Sequence, residues 1–204
     1  MRYDGLLMTT TSPGRRERNK QQKLERITAA ATELFDRHGI DEVTTQQIAD
    51  AADIGTGTLF LYAKTKAELL LLVQNAHYAE AIEAGLAAAP RADSALDAIM
   101  SLIEPVVACN RRQVENGRTY LRELVFGDPE EPHHRVGLEL IARVDEAFVE
   151  ILERDAGFGA HDAAVLARTV SAAMSVTLSS PLNVAASDAA LCADIREQVA
   201  LVLR

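Results

Sequence analysis

The segment from Thr44 to Lys66 constrains the fold most, because helix start and stop signals follow each other there at short intervals. Thr44 and Gln47 stand three residues apart, the spacing of a capping box, which predicts a short helix over about 45–52. After a turn of about three residues, a second and very short helix is expected over about 56–62. A long helix begins near Lys66, capped by the threonine before it.

Two glycines in this segment, Gly55 and Gly57, allow two interpretations. A phosphate-binding loop of a nucleotide enzyme follows a buried strand and continues with a third glycine or a Lys-Ser/Thr pair. Here the glycines follow a helix, no third glycine comes in register, and the residue after Gly57 is Thr58. The segment fits a helix-turn-helix better, the unit that reads DNA with its second helix.

The other residues of the segment suit that unit. Ala49 is the small residue where the two helices cross, residues 53–55 make the turn, and Ile54 and Leu59 are expected to fill the core behind it. Asp53 stands where a left-handed conformation is often needed, and aspartate tolerates it. Gly57 costs up to about 1 kcal/mol in a helix. It either lets the helix N-terminus approach a DNA phosphate or merely eases the turn.

The remainder of the chain predicts an all-α protein. Hydrophobic residues make up 48% of the 204 residues, and no segment alternates as a strand would. Residues 1–14 are polar and end in Pro-Gly, which favours a disordered leader. Further helices are expected over about 27–38, 66–89, 94–116 with a bend at Pro105, 118–126, 134–156, 161–179 and 188–203.

Charge is distributed unevenly along the chain. The formal net charge is −9, but residues 1–66 carry 10 Lys and Arg against 9 Asp and Glu, whereas residues 67–204 carry 11 against 21, and every lysine lies at or before Lys66. A basic arm precedes the first helix, with cations at Arg15, Arg16, Arg18, Lys20, Lys23 and Arg26. This arm either contacts DNA or is a solvated tail.

Other function classes lack support in the sequence. Cys109 and Cys192 have neither metal nor redox spacing, and no apolar run has the length of a signal peptide or membrane span, so we expect a reduced, cytoplasmic setting. His133 and His134 beside two glutamates rarely bind one ion without further ligands. We predict no metal, no cofactor and no catalytic site, hence no enzyme.

The run from Ile27 to Leu70 resembles the DNA-binding head of the tetracycline-repressor (TetR) family of bacterial transcription regulators. Four features occur in register: an "A…LF…G" first helix, "TTxxIAxxA", "GTLFxY", and a lysine followed by an acidic residue and leucines. The resemblance covers roughly 45 residues. It implies a head over 15–66, a helical ligand-binding and dimerisation body over 67–204, about nine helices in all, and a homodimer made by the last two.

The resemblance also implies which residues contact DNA. Phosphate contacts are expected from Thr44, Thr56, Thr58, Tyr62 and Lys66. Base or sugar contacts are expected from Gln46, which can read an adenine, from Phe60, which can touch a thymine methyl, and from Gly57 and Leu61. Phe60 is alternatively a core residue. The basic arm and three flanking residues complete the expected set: Thr45, Gly55, Lys64, Arg15, Arg16, Arg18 and Lys20.

Four positions depart from the family pattern. Gly55-Thr56 replaces a frequent Ser-Lys and Leu61 replaces a frequent arginine, so two favoured cations are missing and the basic arm is expected to compensate. Ala63 replaces a common aromatic residue that closes the head against the long helix. The smaller side chain of Ala63 makes a less rigid junction between the head and the long helix an open alternative.

The resemblance further implies a repressor that leaves a near-palindromic operator when a small, apolar molecule binds the body. Candidate pocket residues, each alternatively plain core, are Leu72, His77, Met100, Ile103, Glu104, Tyr120, Leu124 and Phe148. An activator is indistinguishable from a repressor at this stage. The alternative from another class is an all-α small-molecule-binding protein that does not read DNA.

Overall fold

The computed structural model describes residues 14–204 and shows an all-α chain, as the sequence predicts. Within these residues there are nine α-helices, two short 3-10 helices (Ala89–Arg91 and Pro181–Asn183) and no strand. The expected leader lies, apart from Gly14, outside the described residues. The α-helices are α1 Arg15–His38, α2 Thr45–Ala51, α3 Thr56–Leu59, α4 Lys66–Ala88, α5 Ala95–Arg111, α6 Val114–Phe126, α7 Pro132–Ala156, α8 Ala160–Ser179 and α9 Asp188–Val202.

Helix α4 lies at the centre of the molecule, because it contacts α1 at one end and α5, α6 and α7 along its length. Apolar residues point from it in several directions, so that Leu69, Leu70, Leu71, Val73 and Ile82 are all buried. Helices α8 and α9 complete the bundle by contacting α7 and α5. None of the helices in the described part is long and apolar enough to cross a membrane.

Helix α1 is longer than expected. It was predicted from Ile27, but it begins at Arg15, so the basic arm is its first three turns rather than a tail. Arginine, lysine, glutamine and glutamate are good helix formers, and the Gln21 Nε2 donates to Glu25 Oε1 at 3.1 Å one turn later. Hydrophobic periodicity could not indicate this part of the helix, because none of its side chains is buried.

The boundary between α5 and α6 was predicted wrongly. One helix was expected over 94–116 with a bend at Pro105, but Pro105 lies inside α5 and the chain turns after Arg111. Gln113 caps the new helix, its side chain accepting from the Asn116 amide at 2.9 Å. Glutamine is outside the usual set of N-cap residues, so no start signal was visible in the sequence.

Smaller differences concern helix ends. Helix α3 was expected to reach Tyr62, but it ends at Leu59, and tight i to i−3 bonds continue the winding as far as Tyr62. Helix α7 begins two residues earlier than expected, at Pro132, since proline suits the first helical position. The ends of α2, α8 and α9 agree with expectation within a residue.

The end of α1 is fixed by a buried amide of α6. The backbone N–H of Ile40 donates to the Asn116 Oδ1 at 2.8 Å, and the Asn116 Nδ2 donates to the carbonyl of Phe35 at 2.9 Å. Asn116 is completely buried. Nearby, Arg112 pairs with Asp36 at 3.2 Å. The first helix is therefore joined to the body through its last turn.

Gly117, the next residue, lets α6 approach the end of α5. A Cβ at Gly117 would lie 2.1 Å from the carbonyl oxygen of Asn110, a backbone atom that cannot swing away. We predict that Gly117→Ala lowers the free energy of unfolding by about 1–3 kcal/mol through overpacking. Chemical denaturation measures this effect.

Gly57→Ala is the matched control, because no atom lies within 4 Å of the position where its Cβ would stand. This substitution is expected to leave stability unchanged or to raise it slightly, since alanine is the better helix former. Equal stability of the two variants would contradict the close contact at Gly117.

Candidate nucleic-acid interface

The capping box at the start of α2 is confirmed. The Thr44 hydroxyl accepts from the Gln47 N–H at 3.2 Å, and the Gln47 Oε1 accepts from the Thr44 N–H at 2.8 Å. Two of the free N–H groups at the helix start are thereby satisfied. Ile48 and Ala49 face inward from α2 and are fully buried.

The turn between α2 and α3 contains a left-handed residue. Asp53 has φ 53° and is the only non-glycine residue with positive φ among residues 14–204, which confirms the prediction for this position. Its N–H donates to the carbonyl of Asp50 at 3.1 Å, and its carboxylate pairs with Arg26 of α1 at 3.3 Å. The turn ends at Gly55, and Leu59 of α3 is completely buried.

The turn that follows α3 carries two exposed apolar side chains. Phe60 is 46% exposed and Leu61 is 83% exposed, so Phe60 is a surface residue and the core alternative is wrong. Thr56, Thr58 and Tyr62 lie on the same segment and are half-buried. Exposed apolar groups of this size at the end of a short helix are suited to contact with sugars and base methyl groups.

Neither glycine of this segment is required by the protein itself. Gly55 has φ −74°, Gly57 is not among the glycines with positive φ, and nothing lies within 4 Å of a Cβ built at either position. Backbone strain and internal packing are therefore excluded as reasons for them. Both positions are open to solvent at the start of α3, where free N–H groups attract an anion.

The basic part of α1 runs beside α3 and forms one wall of a groove. The Tyr62 hydroxyl donates to the carbonyl of Lys20 at 3.4 Å, which ties the two helices together. Four arm cations of the expected set are exposed. The groove is lined by Arg15, Arg16, Glu17, Asn19, Lys20, Lys23, Thr58, Leu61 and Tyr62. Arg18 is exposed in the same part of α1 but is not part of this lining.

Four other expected contact residues, Thr45, Gln46, Lys64 and Lys66, do not line this groove. Gln46 donates from Nε2 to Asp50 Oδ1 at 2.7 Å, which leaves its amide oxygen free of that bond. Lys64 is exposed, while the half-buried Lys66 donates from Nζ to the carbonyl of Asp41 at 3.5 Å. Thr45 is half-buried at the start of α2. Sequence reasoning missed Asn19, whose side chain carries no recognisable signal.

A second concave site lies in the body. It is a cavity of about 60 Å³ between α4, α6, α7 and α8, with apolar walls that include Tyr78, Leu140 and Met174. Tyr78 and Tyr120 stand side by side there with ring centroids 4.4 Å apart, and burial raises the pKa of both phenols. Both rings therefore stay neutral.

Only two of the eight expected pocket residues, Tyr120 and Leu124, line this cavity. Met100, Ile103 and Phe148 are buried elsewhere in the core, Leu72 and His77 are half-buried, and Glu104 is exposed. Helical spacing identified apolar faces correctly, but it does not tell which buried residue stands beside an empty volume. The histidine pair in the first turn of α7 separates: the His133 Nε2 lies 3.2 Å from the Tyr62 carbonyl, and His134 is buried.

The left-handed turn gives a direct test of how α3 is positioned. Asp53→Gly and Asp53→Ala both remove the carboxylate, but only alanine is strained at φ 53°. We predict that the alanine variant is less stable than the glycine variant by about 1 kcal/mol. Denaturant unfolding of the two proteins side by side measures the difference, and equal stability would refute the left-handed geometry.

Comparisons with known proteins agree with this interface. Residues 27–73 match the family model described as bacterial regulatory proteins, tetR family. These residues include α2, α3 and the start of α4. A search of curated protein sequences finds no match.

Solved structures share the fold along nearly the whole chain. A TetR transcriptional regulator from Rhodococcus sp. RHA1 is 20% identical, with 90% of this chain and 97% of that one covered and a TM-score of 0.65. Thermus thermophilus FadR, a TetR-family transcriptional repressor in complex with lauroyl-CoA, is 23% identical, with coverage of 88% and 93% and a TM-score of 0.69. RolR, in complex with the ligand resorcinol, is 19% identical, with coverage of 92% and 94% and a TM-score of 0.65.

Identities this low show a common fold, whereas the family model is matched by the very residues that build the capped helix, the left-handed turn and α3. Residues 27–73 are therefore similar to the tetR family of bacterial regulatory proteins, and the chain as a whole shares the fold of the solved structures.

Proposed function

We propose that this protein is a dimeric, ligand-responsive repressor that acts in the cytoplasm on a near-palindromic DNA operator. The observation that carries the proposal is the groove between the basic part of α1 and the α3 segment, which is lined by exposed cations of α1 together with Thr58, Leu61 and Tyr62. Helix α3 enters the major groove, with Phe60 and Leu61 against bases and sugars. The start of α3 at Gly57 meets a phosphate.

The cations of α1 take the place of those missing from α3. Helix α3 itself contains no lysine or arginine. The extended α1 holds Arg15, Arg16 and Lys20 along the same groove, and the bond from Tyr62 to Lys20 fixes their distance from α3. A helical arm places its charges without the ordering cost that a disordered tail would incur on binding.

The double variant Arg16→Gln/Lys20→Gln tests this DNA-binding mode. Fluorescence anisotropy with an operator selected from random-sequence DNA is expected to show about tenfold weaker binding at 0.1 M salt. Each lost phosphate contact is also expected to reduce the slope of log K against log salt by about 0.9.

Arg91→Gln/Arg154→Gln is the matched control, because it removes the same charge from exposed sites in the body. Its affinity and its salt slope are expected to equal those of the wild type. If the two double variants behave alike, α1 does not follow the DNA backbone.

Dimerisation is proposed through α8 and α9. Along α8, Val165, Ala172 and Val176 lie on one face and all are exposed, Val176 by 68%. Leu182, 91% exposed, follows in the connection to α9, and Leu201 is exposed near the end of α9. Small and apolar residues on adjoining helices allow close approach of a second copy, and a symmetric pair of α3 helices then meets two half-sites about 34 Å apart.

Val176→Lys is expected to shift the protein from dimer to monomer, since a charge would be buried in the contact. Multi-angle light scattering after size exclusion measures the mass. Val136→Lys on α7 makes the same change at a valine that is 43% exposed and outside this face, and it is expected to leave the dimer intact. A dimeric V176K protein would place the interface elsewhere.

The body cavity is the proposed effector site. Solved structures of this fold include one with lauroyl-CoA and one with resorcinol, so the shared architecture accommodates ligands of very different size. Here the cavity lies within the body and shares α6 with the buried amide of Asn116 that holds the end of α1. A ligand that moves α6 therefore acts on the head.

A second connection runs from the cavity wall to the end of α3. The Tyr120 hydroxyl donates to Asn75 Oδ1 at 2.8 Å, and Asn75 Nδ2 donates to the carbonyl of His133 at 2.7 Å. The ring of His133 in turn contacts the Tyr62 carbonyl at 3.2 Å. Through these bonds, ligand binding is coupled to head position by a free energy of about 1–3 kcal/mol, enough to release the operator.

A further inference from the structure

The residues that line the cavity between α4, α6, α7 and α8 indicate the charge of its ligand. No Lys, Arg, His, Asp or Glu side chain is among its lining residues. A charged ligand would lose its hydration there without meeting a counter-charge among the lining residues, which is strongly unfavourable. Behind the wall, the Asp145 carboxylate accepts a hydrogen bond from Ser171, and its negative charge opposes an anion further.

The hydroxyl groups of the wall present a definite pattern of donors and acceptors. Ser171 already donates to Asp145, and Tyr120 already donates to Asn75, so their oxygens can only accept from a ligand. The Ser175 hydroxyl, the third on the wall, can donate as well as accept. A ligand hydroxyl both donates and accepts and therefore fits this set, whereas a carboxylate only accepts.

The size of the cavity limits the ligand further. Its volume is about 60 Å³, whereas an engineered cavity of about 150 Å³ is known to hold benzene in another protein. Met174 on the wall is unbranched and has three rotatable bonds, so it can move to admit one ring. Exposed Val125 and Ile141 at the edge mark where the site meets the surface.

From these features we infer that the effector is an uncharged molecule of about one ring that carries a hydroxyl group, bound with that hydroxyl at Ser175, Tyr120 and Ser171. This inference rests on the proposed effector site and adds the chemical class of the ligand. The flat faces of Tyr78 and Tyr120 give a ring a matching surface. The small volume disfavours long acyl chains, and the uncharged lining disfavours ionised ligands of the same ring size.

Calorimetric titration of the full-length protein at pH 7.5 tests the class with three matched probes: phenol, benzoate and benzylammonium. Phenol is expected to bind at least tenfold more tightly than either ion. Ser175→Ala is expected to weaken phenol binding about fivefold, because one hydrogen bond is lost. Thr169→Val, which removes a hydroxyl at an exposed position on the same helix, is the control and is expected to leave phenol binding unchanged.

Met174→Phe, which fills the cavity, is expected to abolish phenol binding. If the M174F variant does not fold, the comparison of S175A with T169V is sufficient to assign the site. Equal or tighter binding of an ion, no phenol binding at 10 mM, or phenol binding that ignores both S175A and M174F would each overturn the inference.

Operator release, measured separately by anisotropy, distinguishes this inference from the proposed function. If phenol binds the cavity but leaves DNA affinity unchanged, the ligand class holds and the proposed regulation fails. If an ion binds the cavity and releases the operator, the regulation holds and the ligand class fails.

Discussion

The position of the head depends on one buried amide. Asn116 accepts from the N–H of Ile40 and donates to the carbonyl of Phe35, so it satisfies a donor at the end of α1 that would otherwise be buried without a partner. An unsatisfied buried group costs about 1–3 kcal/mol. Because Asn116 belongs to α6, the first helix cannot change its tilt without breaking these bonds or moving α6.

Helix α6 therefore links the end of α1 to the wall of the cavity. One turn after Asn116, Tyr120 lies on the cavity wall, and through Asn75 and His133 it reaches the end of α3. The head is thus held at both of its ends, by bonds that start from one helix. Gly117 and Gly137 allow this, since a side chain at either would collide with Asn110 or Leu124. Small residues fix how close α5 and α7 come to α6.

What the sequence made visible were features that depend on neighbouring residues. The capping box at Thr44, the cap at Thr65 and the left-handed Asp53 each involve groups within about four positions, and each is found in the structure. The boundary at Gln113, by contrast, follows from tertiary contacts of Asn116 with α1, across 76 residues of chain. Hydrophobic periodicity does not indicate such a long-range contact. It does not indicate the cavity either: of the residues expected to line it, only Tyr120 and Leu124 do.

The length of α1 was also not predictable from hydrophobic periodicity, here because its first part makes no buried contact. Its first three turns have no buried residue, so hydrophobic periodicity began only at Ile27, although helix-forming residues fill the turns before it. These exposed turns matter because they carry the cations that α3 lacks. The body below carries 21 acidic against 11 basic residues over 67–204, which repels a phosphate backbone. In the proposed complex, DNA approaches the side formed by α1 and α3, and the hydrogen bonds of Asn116 fix the position of α1 on that side.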